Sequence, residues 1–279
     1  MKFKIKPQFT FLIIAISAVL SSCTEKIDLV LDDSYTRIIV DGEITSETKE
    51  HQVILSKSTS YFYGEAPPPA TGATVTISDG SNSYILSESE PGVYKTSSNV
   101  QGVAGNVYTL TISDIDINGD GIDETYTASS EMKPTWAIDS ITYEIFDPTE
   151  TPVRYLINGW GQEDPEMGQY YLWRYFKNGT LETDTLDELI FVDDEGVNGS
   201  YIAGLTMFLV DAVVNDTITV ESRSITKEYY EFINSFMLET AWNAGNFGGP
   251  PANIKTNVSN GGLGYFNAIE VAYVSKVIK

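Results

Sequence analysis

Through the first half of the chain, apolar and polar positions alternate with a period of two. His51, Val53 and Leu55 point one way and Gln52, Ile54 and Ser56 the other; Val75 and Ile77 share a face just before an Asp79-Gly80 turn. Short runs at 37–40, 84–86, 92–95 and 107–112 continue the pattern between turns rich in Gly, Asn and Asp. A period of two is that of a pleated strand with one buried face. Short strands at this spacing predict an immunoglobulin-like β-sandwich over residues 35–133. The Pro67-Pro68-Pro69 run supplies no amide donors, so it belongs to a loop or an edge.

Lys133-Pro134-Thr135 reads as a joint, and 134–279 as a second β-rich domain. Residues 138–146 open it. Residues 170–176, the Asn178-Gly179 turn and 181–185 read as a hairpin, and 205–214 and 217–220 as further strands. One segment changes period. Tyr229, Phe232, Ile233, Phe236 and Met237 fall at i, i+3, i+4, i+7 and i+8, which predicts an amphipathic helix near 226–243. Thr226 is its N-cap, Glu228 favours its positive end, and Gly245 is the first terminator. A Gly- and Asn-rich loop from 248 leads to a last strand at 268–278. The fold class expected is mainly β: a sandwich, then a β-rich domain with one helix.

The N-terminus has a different character. Lys2, Lys4 and Lys6 precede an apolar run at 9–20 that is shorter than the roughly 20 residues a membrane span needs. Residues 1–22 therefore read as a signal peptide. The run ends in Leu20-Ser21-Ser22-Cys23, which has the form of a bacterial lipobox, with cleavage expected between Ser22 and Cys23. Small residues let the peptidase reach the bond, and the thiol takes a diacylglycerol as a thioether. More than one acyl chain gives durable anchoring, at about 0.8 kcal/mol per buried CH₂. Residues 23–34 then form a lipidated tether. Thr24 after the cysteine, rather than Asp, points to the outer membrane; either leaflet fits.

The sequence holds 17 basic and 39 acidic residues, a net charge of −22. Losing the leader with its three lysines leaves 14 against 39, or −25. Such a charge repels nucleic acid and anionic lipid surfaces. One cysteine and one histidine rule out an internal disulfide and a Cys/His zinc site. His51 is the only histidine a Ser-His-Asp triad can use, and no Gly-x-Ser-x-Gly elbow accompanies it. The chain is therefore expected not to be an enzyme, and no resident cofactor is expected, calcium excepted.

Calcium enters through residues 114–124, DIDINGDGIDE. Asp116, Asn118, Asp120 and Gly121 match the opening of a calcium loop. Thr127 stands where the bidentate Glu belongs, leaving Glu124 or Asp123 as substitute; a polar hairpin tip explains the same residues. Tyr171, Trp173 and Tyr175 lie on one face of a strand whose other face is also aromatic, and Tyr61 and Tyr63 flank Phe62 before the proline run. Exposed, such rings form a platform for a glycan, a peptide or a protein partner; packed, they are core.

The ordered segments IIVDGEIT (38–45), GATVTISDG (72–80), PGVYKT (91–96), AGNVYTLTI (104–112), AIDSITYEIFD (137–147) and NVSNGGLGYFNA (257–268) resemble the family named domain of unknown function 4249. The resemblance spans nearly all of the mature chain; the 114–124 loop is longer than the family's usual hairpin. It implies an outer-membrane lipoprotein, often encoded beside a SusC-type TonB-dependent receptor, and carries no catalytic residue. The expected function is accessory or substrate-binding partner of such a transporter. A structural or adhesive surface protein is the alternative, followed by a hydrolase with a carboxylate pair.

Overall fold

The computed structural model describes residues 36–59, 66–240 and 254–279, all within one compact unit spanning 35–279. The alternating first half forms β1 (Ile38–Thr45), β2 (Gln52–Lys57), β3 (Thr74–Ser78), β4 (Ser83–Ile85), β5 (Ser87–Glu90), β6 (Val93–Lys95), β7 (Val107–Ile115) and β8 (Glu124–Glu131). The second half forms β9 (Ser140–Asp147), β10 (Val153–Gln162), β11 (Tyr170–Lys177), β12 (Thr180–Leu181), β13 (Ile190–Asp193), β14 (Tyr201–Ala212) and β15 (Thr217–Ile225). Helix α1 (Lys227–Thr240), β16 (Leu263–Ile269) and β17 (Val271–Val277) complete it. The protein is mainly β with one α-helix, as the pattern predicts. No helix among the described residues is long and apolar enough to cross a membrane.

The first region is a two-layer sandwich. One sheet has the order β16-β1-β2-β6-β5 and the other β4-β3-β7-β8. Their inner faces meet in a core that includes Val40, Val53, Leu55, Val75, Ile77, Tyr108 and Leu110. Polar groups in this core are satisfied: the Tyr108 hydroxyl accepts the Val103 amide at 2.8 Å, and the Tyr94 hydroxyl donates to the Ala70 carbonyl at 3.2 Å. His51 is buried here, its Nδ1 accepting the Thr45 amide at 3.2 Å and its Nε2 donating to the Val100 carbonyl at 3.1 Å. It stitches a strand end to a loop rather than serving a nucleophile.

The assignment of all of 134–279 to a second domain needs one correction. β16 pairs in parallel with β1, Ile39 opposite Leu263 through Thr45 opposite Ile269, and so belongs to the first sandwich. The expected single strand at 268–278 is two strands in different sheets with only Glu270 between them. Gly264 makes the parallel approach feasible. Its φ is +84°, and a β-carbon there would fall on the Val40 carbonyl oxygen, a place open only to glycine.

The second region has three layers. A sheet of order β14-β10-β9 faces one of order β12-β11-β15-β17, with β13 also paired to β11. Trp136, Ile157, Tyr171, Trp173, Phe208 and Val220 fill the space between them. Helix α1 covers the other face of β11 and β15, where Leu172, Ile225 and Ile233 meet. Thr226 caps the helix as expected, its Oγ1 accepting the Tyr229 amide at 3.2 Å.

A buried charge network joins the regions. Arg223 on β15 reaches Glu43 on β1 at 2.5 Å and Glu221 at 3.0 Å, and Arg174 holds the other Glu221 oxygen at 2.6 Å. Burial alone would raise the Glu221 carboxyl, but Arg223 and Arg174 outweigh it and hold the group below the usual range.

Candidate functional site

β11 explains where the strand's aromatics go. Its side chains alternate between two covered faces. Tyr170 and Leu172 turn toward α1, while Tyr171, Trp173 and Tyr175 turn toward the β14-β10-β9 sheet. Tyr171 and Trp173 are only 2% and 4% exposed. The strand therefore offers no surface platform, because it is the middle layer of three. Trp173 and Trp136 pack with ring centroids 5.9 Å apart, and Tyr175 sits 5.0 Å from Phe208.

Trp136, Tyr171 and Trp173 wall a cleft of about 260 Å³. β13 is short and β14 carries register shifts opposite Asn158 and Trp160, so the two sheets part at this edge. Tyr171 and Trp173 face Val192 and Ile190, their neighbours on β13; Ile202 and Leu205 of β14 close the opposite wall, with Trp136 beside them. Val197 and Leu205 are partly open to solvent. An apolar recess with a few fixed polar groups is the usual form of a small-ligand site, and this one lies just below the common range of about 300–1,000 Å³.

Its polar end is built from carboxylates. Glu163 is 1% exposed. It accepts the Tyr171 hydroxyl on Oε1 at 3.1 Å and the Gly199 amide on Oε2 at 2.7 Å. The Tyr171 hydroxyl also contacts Gln169 Oε1, and buried Asp194 accepts the Gln169 amide at 2.9 Å. Burial first, and then Glu163, push the Tyr171 phenol far up, so it remains a donor. Asp193 and Glu195 are exposed and line the same cleft. The indole N–H groups of Trp136 and Trp173 are buried without an acceptor among the described residues. Sequence reasoning named Tyr171 and Trp173 but not Trp136 or Glu163. Both lie outside the strands it recognised, and only the tertiary fold brings them to β11.

The calcium-loop residues sit together on the β7–β8 connection. Asp116 accepts the amides of Gly119 at 2.7 Å and Gly121 at 2.8 Å, Asp120 accepts that of Ile122 at 2.8 Å, and Glu124 that of Ile117 at 2.8 Å. Asn118 accepts the Asp120 amide at 2.9 Å. Among the described residues no group of three or more acidic, His or Cys side chains is arranged to hold a metal ion. Cys23, Ser22, Tyr61 and Tyr63 lie outside the described residues.

Two recesses are larger and more polar. One of about 460 Å³ borders the charge network at Asp41, Glu43 and Arg174, and one of about 410 Å³ lies at the start of α1 between Lys133 and Glu228. Both are lined by side chains of mixed charge; the second also has Tyr170 and Tyr265 in its wall, but neither has a tryptophan.

No curated protein matches the chain. Among solved structures, the chicken CNTN1 FN1-FN3 domains are 15% identical, with a TM-score of 0.28, over 67% of this chain and 57% of that one. This chain thus spans little more than half of that structure's length. The family model for domain of unknown function 4249 matches residues 24–273, most of the chain, and the chain belongs to that family.

Proposed function

We propose that this protein is a non-catalytic binding module, tethered to the outer membrane through a lipid on Cys23, that holds a small ligand in the inter-sheet cleft and serves a TonB-dependent receptor. The observation that carries the reading is the cleft itself, an aromatic recess at a sandwich edge whose inner carboxylates are already engaged. Glu163 accepts two protein donors, one on each oxygen, so it is held in place as a fixed polar group at the inner end of the cleft. The leader, ending in Leu20-Ser21-Ser22-Cys23, supports the tether, and the family resemblance supports the receptor.

The test is extraction of the full-length protein from its own membranes. Mass spectrometry of the mature N-terminus is expected to give an acylated Cys23, Cys23→Ala to release the protein into the soluble fraction, and the receptor to co-purify with the wild type. An intact leader or a bare thiol overturns the tether; purification without a receptor overturns the partnership.

A further inference from the structure

The lining of the inter-sheet cleft has a one-sided electrostatic character. Glu163 lies inside and Asp193 and Glu195 lie along it, while among the described residues no Lys, Arg or His lines it. The rest of the chain deepens the asymmetry, with 39 acidic against 17 basic residues. An anion entering this recess would lose its water and meet only carboxylates, so anionic ligands are excluded on Coulombic grounds.

A cation meets the reverse situation. Trp136, Trp173 and Tyr171 present aromatic rings, whose faces attract ammonium groups, tryptophan most strongly. An apolar body finds Ile190, Val192, Ile202 and Leu205. A second, independent observation bears on the ligand's other end. The Trp136 and Trp173 N–H groups are more than nine-tenths buried on rings that line the cleft and have no acceptor among the described residues. A buried donor left unpaired costs about 1–3 kcal/mol, which an oxygen acceptor on a ligand would remove.

We infer that the cleft selects a small organic cation, an amine or quaternary ammonium on an apolar or aromatic body that also carries a hydroxyl or carbonyl oxygen. The inference rests on the proposed binding role and adds the charge class of the ligand. Asp193 and Glu195 are its specificity-determining groups. They are exposed, so they act through charge and are sensitive to salt.

The test uses the detergent-solubilised, full mature chain and three probes of one shape: phenylalaninol as cation, 3-phenyl-1,2-propanediol as neutral form and phenyllactate as anion. Binding is read as quenching of tryptophan fluorescence. The cation is expected to bind about tenfold more tightly than the neutral probe, the size of one cation–π or ion contact at a partly desolvated site, and the anion not at all. Asp193→Asn with Glu195→Gln is expected to reduce that preference several-fold, and Val192→Phe to abolish all binding by filling the cleft. Equal affinities for cation and neutral probe, or a preference for the anion, overturn the charge class and leave the binding role standing. Loss of cation binding in Val192→Phe supports the cleft as its place. Absence of saturable quenching by all three probes overturns both.

Discussion

The two regions solve the same packing problem with opposite outcomes. Each sets one twisted sheet against another. In the first, apolar side chains from both sheets interlock, and the buried polar atoms of Tyr94, Tyr108 and His51 all find partners. In the second, a cleft of about 260 Å³ is left at the β13–β14 edge, and two buried indoles lack acceptors among the described residues. Protein interiors ordinarily close such gaps. Where packing and hydrogen bonding are both left incomplete at one place, that place is the expected site of function. The first region thus reads as a mount and the second as a receptacle.

The strongest way to break this comparison is at the joint. Arg223 is 2% exposed and bridges Glu43 and Glu221. Removing Arg223 leaves buried Glu221 with Arg174 as its remaining ion-pair partner, so the cost is below the roughly 3–5 kcal/mol of a fully uncompensated buried charge, at about 2–3 kcal/mol. Arg223→Met is therefore expected to lower the unfolding free energy by that amount in a urea titration. Trp136, Trp160 and Trp173 belong to the second region, so in a Trp242→Phe background tryptophan fluorescence follows that region alone. In the variant it is expected to change at lower urea than far-ultraviolet dichroism, which follows both. Coincident transitions at the wild-type midpoint would mean that the network does not couple the regions.

A smaller effect tests the contrast in packing. Val75 is fully buried in the first core, so Val75→Phe must displace neighbours and is expected to cost about 1–3 kcal/mol. Val192→Phe adds the same atoms beside the cleft, where there is space, and is expected to change stability by less than about 0.5 kcal/mol. Equal penalties in matched urea titrations would show that the cleft is no less rigidly filled than the core.

How much of this was legible in the sequence follows from which faces are buried. β1, β2, β3 and β7 each have one covered face, so their period of two is plain in 51–56 and 74–78. α1 was equally readable from Tyr229, Phe232, Ile233 and Phe236. β10 was not: register shifts at Ile157–Asn158 and Gly159–Trp160 break its alternation, and two glycines interrupt its apolar run. β16 was missed because Tyr265 to Ile269 are buried on both sides, which erases the period, and because its partner β1 is more than 200 residues away in sequence. The cleft was half legible. Tyr171 and Trp173 stand out as a cluster, but burial on β11's second face needs the helix layer, and Glu163 and Trp136 reach the site only through pairings that no local pattern encodes.

The finest test concerns protonation in the well-packed region. His51 is the chain's only histidine. Burial, above all, lowers its affinity for a proton below the ordinary value of 6.5; the Val100 carbonyl, Glu43 and Glu47 pull the other way, and Lys49 adds to the lowering. The geometry requires the neutral ring, since Nδ1 must accept from the Thr45 amide while Nε2 donates. In the unfolded chain His51 takes up its proton near 6.5, whereas in the folded chain it does so only at lower pH. Its contribution is therefore complete above 6.5 and is lost as pH falls from there through the folded value. The slope is at most about 1.4 kcal/mol per pH unit, that of one proton. Asp41, held above its usual value by burial and by Glu43, has the opposite sign, because it takes up its proton earlier in the folded chain. Urea titrations between pH 5 and 7 are expected to show stability declining toward acid in the wild type and a flatter profile in His51→Gln. An unchanged slope in the variant would assign the acid sensitivity to the carboxylates. The neutral, doubly bonded ring of the first region would then not be what makes its core pH-sensitive.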